Sequence, residues 1–162
     1  MKTLLASSLV AAVVAIGGGA HAAQATADDA PPEAISKFVM GTRLGYITCS
    51  GKYRTYLEKW DLYALMNEGQ SAPKGSPPSD EETSACVHET LLKGRNLYGT
   101  ALKDTPAAAA KSAMKDYMTV WEGALKDVRR SEREKPQDFR VRQRKVEARL
   151  DALQATLEAK AR

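Results

Sequence analysis

Cysteine and histidine are scarce in this chain, with two of each among 162 residues, and this limits the metal and redox chemistry it can support. Neither cysteine belongs to a C-x-x-C pair or to a C-x-x-C-H haem-attachment motif. No E-x-x-H occurs, so the di-iron signature of helical bundles is missing. The G-x-S-x-G, H-E-x-x-H, Walker A and G-x-G-x-x-G motifs are missing as well. We therefore predict that the protein is not an enzyme.

Long apolar runs are also scarce, and the longest lies at the start of the chain, over residues 4–16. Lys2 precedes this run and a small-x-small site, Ala20-His21-Ala22, follows it, which is typical of a secretory signal peptide. The run is shorter than the roughly 20 residues that a membrane-spanning helix needs. We predict a signal peptide over residues 1–22, a flexible tether over residues 23–32, and export to the periplasm or medium. An uncleaved membrane anchor is the alternative.

Both cysteines, Cys49 and Cys86, remain after this cleavage. An even cysteine count in an oxidising compartment favours a disulfide bond. The alternative is a pair of free thiols with a redox or metal-binding function, but neither residue has the spacing typical of such sites. We therefore predict one structural bridge between Cys49 and Cys86.

A regular residue spacing organises the first part of the mature chain. Steps of four and three alternate without exception along one row of mostly apolar and aromatic residues: Ile35, Val39, Thr42, Tyr46, Cys49, Tyr53, Tyr56, Trp60 and Tyr63. This spacing keeps one stripe of an α-helix facing a partner, and it predicts a long helix over about residues 33–67. Gly41 and Gly45 lie on one flank, where another helix can approach closely, and Gly51 is the expected site of a kink.

Three further helices are predicted from similar spacing and from the capping residues at their starts. They cover about residues 79–103, 106–133 and 136–161, with Ser79 capping the second and Thr105 and Pro106 opening the third. Short or flexible connections join all four helices. We therefore predict one all-α domain over residues 33–162: an antiparallel up-down-up-down four-helix bundle with a long first helix, stapled by one disulfide.

The predicted bridge has a consequence for the end of helix 1. Cys49 lies further from the end of helix 1 than Cys86 lies from the start of helix 2, so helix 1 extends past helix 2. We expect Trp121 and Leu125 of helix 3 to pack near the aromatic side of this end. Three apolar residues lie off the main row and are candidate partner-binding residues: Leu62, Leu65 and Met66. Either the loop over residues 68–78 covers them, or a partner or second copy docks there.

A ligand inside the bundle is an alternative to a partner on its surface. A haem held in a bundle needs an inward His opposed by His or Met. If Cys86 turns toward Cys49, His88 turns outward, and we interpret Met114 and Met118 as core residues. We predict no resident cofactor or metal. A carrier that binds an apolar ligand or haem within the bundle remains the alternative function.

Positive charge is concentrated in residues 126–149, which hold ten Lys or Arg and five Asp or Glu. Five of these cations flank the apolar stripe of helix 4 and are further candidate partner-binding residues: Arg140, Arg142, Arg144, Lys145 and Arg149. After export they would face acidic proteins or an anionic envelope surface, whereas nucleic acid is not an expected partner. The alternative is a solvated face without a partner.

Export, a stapled bundle and the lack of catalytic motifs together favour a protein that acts through protein–protein contacts. We predict a non-enzymatic periplasmic protein, such as an immunity or inhibitor protein, an adaptor or a chaperone. Its partner is expected to be another periplasmic or envelope protein, or a second copy of the chain.

Overall fold

The structure is a computed structural model that describes residues 31–70, 74–131 and 133–162. These residues form four α-helices and no β-strand: α1 (Glu33–Met66), α2 (Glu81–Asp104), α3 (Ala108–Lys126) and α4 (Pro136–Ala161). The helix α1 is continuous through Gly51. The predicted signal peptide and all but the last two residues of the tether lie outside the described residues.

Neighbouring helices in the bundle run in opposite directions. Contacts near the carboxyl end of α1 involve the start of α2 or α4, whereas contacts near its amino end involve later parts of these helices. The contacts are Cys49–Cys86 and Gly41–Leu97 between α1 and α2, and Tyr53–Phe139 and Arg43–Asp151 between α1 and α4. The helix α3 lies antiparallel to α2 and α4, so the predicted up-down-up-down four-helix bundle is confirmed.

The third helix differs from its predicted bounds at both ends. Thr105 has an extended backbone, with φ −103° and ψ 113°, because a residue before proline disfavours the helical region. It therefore ends α2 instead of capping α3, which begins at Ala108. At the other end α3 stops at Lys126, earlier than predicted. The carbonyl groups that follow this end receive hydrogen bonds from side chains of α4 instead of from further helical N–H groups.

The centre of the bundle is built around Trp121, which is fully buried. Its indole Nε1–H donates to the carbonyl oxygen of Thr42 at 2.8 Å, so the polar edge of the ring is satisfied inside the core. The Thr42 hydroxyl lies 3.2 Å from the hydroxyl of Tyr117. Gly94 of α2 lies directly against the six-membered part of the Trp121 ring. These contacts tie α1, α2 and α3 together at one level.

Two glycines allow α1 and α2 to approach closely. A Cβ atom at Gly41 would overlap the side chain of Leu97, and a Cβ atom at Gly45 would overlap Thr90. The prediction that these glycines admit a neighbouring helix is therefore confirmed. The disulfide between Cys49 and Cys86 closes the same interface, with 5.6 Å between the two Cα atoms, and confirms the predicted bridge.

The contact of Gly94 with Trp121 predicts opposite effects for two glycine substitutions in α2. Gly94→Ala should lower the free energy of unfolding by about 1 to 3 kcal/mol, because the new methyl group overlaps a ring that is fully packed. Gly99→Ala is the matched control, since a Cβ atom there has open space. It should raise stability by up to about 1 kcal/mol through helix propensity alone. Chemical denaturation measures both, and equal effects at the two positions would contradict this packing.

The disulfide should supply a large part of the stability of the domain. It joins residues 37 positions apart, and on the chain-entropy estimate a loop of that size stabilises by about 3 to 4 kcal/mol. The double variant Cys49→Ala/Cys86→Ala should therefore unfold at a clearly lower denaturant concentration than the oxidised protein. Thiol titration of the native protein should find no free cysteine, and detection of two free thiols would refute the bridge.

Candidate interaction surface

The carboxyl end of α1 extends beyond the rest of the bundle. The disulfide places Cys49 level with Cys86, which lies near the start of α2 at Glu81, whereas α1 continues to Met66. At about 1.5 Å per residue, α1 therefore overshoots α2 by roughly 18 Å. We call residues 56–66 the projecting end. Most residues of this part of α1 are exposed, and the partly buried ones are Tyr56, Leu57 and Tyr63.

An aromatic row runs along one side of the projecting end. Successive ring centroids lie 5.5 Å apart for Tyr53 and Tyr56, 6.4 Å for Tyr56 and Trp60, and 5.8 Å for Trp60 and Tyr63. Phe139 of α4 packs edge-on against Tyr53, which is buried. Burial decreases beyond Tyr53: Tyr56 and Tyr63 are partly buried, and Trp60 is 39% exposed. The stacked rings shield one another only in part, so this side remains an apolar surface.

Trp121 and Leu125 do not cover this aromatic row, contrary to expectation. Trp121 lies at the level of Thr42, several turns before the projecting end, and Leu125 is buried in the core. The reason is the register of α3: the short connection over residues 105–107 starts α3 at Ala108, near the level of the amino end of α1, and this places Trp121 level with Thr42.

Three apolar side chains of the projecting end are exposed to solvent. The exposed fractions are 58% for Leu62, 68% for Leu65 and 63% for Met66. The loop that follows begins at Asn67, whose side-chain oxygen accepts a hydrogen bond from the Lys74 backbone N–H. The described loop residues return past Asn67 without covering the three side chains. This exposure supports the interface alternative over a closing loop.

A groove of about 830 Å³ separates the second half of α1 from the start of α4. Its floor is apolar and includes Leu57, Val128 and Phe139. Its walls carry charge of both signs: Arg54, Glu58 and Asp61 from α1, and Arg140, Arg144 and Glu147 from α4. Within the described part of the chain, these six side chains form no ion pair with one another or with other residues. The groove therefore presents unpaired charges above an apolar floor.

The candidate basic residues of α4 fall into three groups in the structure. Arg140 and Arg144 line the groove. Lys145 and Arg149 are exposed on the opposite flank of α4. Arg142 differs from the other four in its contacts within the chain. Its guanidinium group pairs with Glu134 at 2.8 Å and also donates to the backbone oxygens of the α3–α4 connection. Arg142 therefore has contacts within the chain, and the partner-binding role remains a prediction for all five residues.

The contacts of Arg142 explain how the short connection between α3 and α4 is held. Hydrogen bonds go to the carbonyl oxygens of Asp127 at 2.5 Å and Arg129 at 2.8 Å, and the guanidinium carbon lies 5.2 Å from the centre of the Phe139 ring. The hydrogen bond from Arg142 also lowers the pKa of the Glu134 carboxyl and raises the pKa of Arg142. This residue positions Phe139, which in turn covers Tyr53.

The residues considered for a haem or metal site do not converge. His88 is exposed on α2, whereas Met114 and Met118 are buried in the core. Among the described residues, no group of three or more His, Cys, Asp or Glu side chains is arranged to hold a metal ion. None of the four described helices combines the length and the apolar composition that crossing a membrane requires.

Comparisons of the chain with protein-family models, with curated proteins and with solved structures found no match. The functional interpretation therefore rests on the residues themselves.

The sequence analysis did not identify the residues of α1 that line the groove, namely Arg54, Glu58 and Asp61. The signal was present as a second row on α1 with steps of three and four, but its mixed polarity hides it from a search for apolar residues.

Loss of the Arg142 contacts should destabilise the bundle, whereas loss of a groove arginine should not. Arg142→Gln removes charge-assisted hydrogen bonds to two backbone oxygens, and we expect it to lower the free energy of unfolding by about 1 kcal/mol or more. Arg144→Gln, on the groove side of α4 and away from these carbonyl oxygens, should change stability by less than about 0.5 kcal/mol. Urea denaturation compares the two variants, and equal stability would argue against this role of Arg142.

Arg142→Gln should also change how the free energy of unfolding depends on pH. Because the pKa of Glu134 is lower in the folded state, its pairing stabilises the fold fully above the ordinary glutamate pKa. That contribution is lost as the pH falls through the lowered value. Arg142→Gln should therefore show a weaker fall in stability with acid than the parent protein.

Proposed function

We propose that this protein is an exported, non-enzymatic helical protein that acts through protein–protein contacts, with the projecting end of α1 as its docking site. The observation that carries this proposal is the exposure of Leu62, Leu65 and Met66 on a helix segment that extends past the start of α2. Leu, Met and aromatic side chains clustered on a surface are typical of protein interfaces. A helix with apolar residues on several sides also suits recognition by a groove of another protein.

Two features support a periplasmic location. The N-terminal sequence has the charge, apolar run and small-x-small site of a secretory signal peptide. The bond between Cys49 and Cys86 suits an oxidising compartment, because thiols in the cytosol are kept reduced. In the periplasm, a small stapled bundle of this kind fits an immunity or inhibitor protein, an adaptor or a chaperone.

The packing of the core favours partner contacts over a carrier function. Trp121, Tyr117 and Met114 fill the positions at which a bundle carrier would hold its ligand, and all three are fully buried. The hydroxyl of Tyr117 and the indole of Trp121 both point to Thr42, so the polar groups of this core are used within the protein. A haem or apolar ligand at this place would have to displace these contacts.

The proposal predicts separate effects on folding and on association. The triple variant Leu62→Ser/Leu65→Ser/Met66→Ser should keep its helicity and its unfolding midpoint nearly unchanged, because the three side chains are already exposed. It should lose association, measured as molar mass by light scattering and as binding to proteins of the cell envelope. The matched control is Leu92→Ser, which changes a leucine on α2 that is 51% exposed and distant from the projecting end. A large fall in stability with unchanged association would show that the three residues are covered core.

A further inference from the structure

We propose that the outer side of the projecting α1 helix binds the same surface of a second copy of the chain, antiparallel and related by a two-fold axis. This inference rests on the proposed function, because it identifies one partner of the projecting end. The surface is a second row of residues on α1, which we call the outer row: Ile47, Gly51, Arg54, Glu58, Asp61 and Leu65.

The outer row has the spacing of a helix–helix contact. Its steps are four, three, four, three and four, which keep all six residues on one stripe of the helix. Both apolar ends of the row are exposed, with Ile47 56% and Leu65 68% accessible, and the charged side chains between them are exposed as well. At about 100° per residue, the stripe lies opposite Tyr56 and away from the main core-facing row. The row is therefore free to contact a second helix.

The order of residues along the outer row is self-complementary. Two antiparallel copies of a helix, related by a two-fold axis level with position 56, bring together residues equally distant from that position. Ile47 then meets Leu65 of the second copy, Arg54 meets Glu58, and Gly51 meets Asp61. The first pair is apolar, the second joins opposite charges, and the third combines the smallest residue with a carboxylate. All three pairs share one centre, and the two-fold axis produces two copies of each pair in the dimer.

The groove between α1 and α4 is the place where the second copy would lie. Five of the six outer-row residues line this groove, and Arg140 and Arg144 line it from the α4 side. A second α1 helix centred at position 56 brings its own Glu58 to the level of Arg140. The antiparallel arrangement thus supplies a carboxylate beside a guanidinium group that has no ion pair among the described residues. At Gly51 a Cβ atom would have open space, so the second helix can approach closely there.

Charge reversal provides a test in which two defective variants repair each other. Arg54→Glu alone sets two carboxylates against each other at this contact, and Glu58→Arg alone sets two guanidinium groups against each other. Each variant alone should therefore dimerise about tenfold more weakly than the parent protein, or worse. In an equimolar mixture, every such pair between the two variants joins opposite charges. Sedimentation equilibrium should then show that the mixture regains the dimer.

Lys59→Glu is the matched control, because Lys59 is an exposed residue of the projecting end that lies off the outer row. It should leave the dimerisation constant within about twofold of the parent value. Circular dichroism should show the same helicity for all variants, because every changed residue is exposed.

The outcomes separate this inference from the proposed function. A parent protein that stays monomeric at its highest soluble concentration would overturn the inference. A dimer that is insensitive to both reversals, or a mixture that is no better than its components, would overturn it as well. If the triple serine variant still loses binding to a different envelope protein in those cases, the proposed function stands without the second copy. If the triple serine variant changes neither mass nor partner binding, the proposed function fails.

Discussion

The bond between Cys49 and Cys86 fixes the level at which α2 meets α1, and the exposed end of α1 depends on that level. Because Cys86 lies near the start of α2, α2 does not reach the level of residues 56–66 of α1. The glycines at positions 41 and 45 hold the same register over the rest of the interface, since α2 fits closely only where they lie. A shift of α2 by one turn would break both features. The overshoot of α1 therefore follows from the disulfide bond and from the close packing of α2 at the two glycines.

The core of the bundle is complete without the projecting end. Trp121, Thr42 and Tyr117 satisfy their polar groups among themselves, and Gly94 gives the Trp121 ring its space. Arg142 closes the connection between α3 and α4 and places Phe139 over Tyr53, the last buried member of the main row. Residues beyond that point add little to the packing of the domain. Their apolar character is therefore better explained by a contact outside the chain than by folding.

Much of the fold could be predicted from the sequence, because regular spacing and an even cysteine count can be read without knowing the tertiary contacts. The main row on α1 predicted a long helix, and the pair Cys49 and Cys86 predicted the bridge. The end of α3 could not be predicted, since its carbonyl groups are satisfied by Arg142, which comes from another helix. Trp121 was misplaced because its level depends on the register of α3 against α1, which the short connection over residues 105–107 sets. The groove escaped prediction because its α1 wall mixes charged and apolar residues.

The two sides of the projecting end differ in chemistry, and this difference allows two contacts at once. The aromatic row, which includes Trp60 and Tyr63, contains no charged residue. The outer row has apolar residues at its two ends and residues of opposite charge between them. Contacts between like surfaces need self-complementary charges, and the outer row has them around position 56. The aromatic row has no such order and suits an apolar groove of a different protein. Because the rows lie on opposite sides of one helix, pairing of two copies through the outer row would leave Trp60 of both copies exposed. A dimer of this kind would present two equivalent docking sites, which strengthens binding to any partner that is itself paired or repeated.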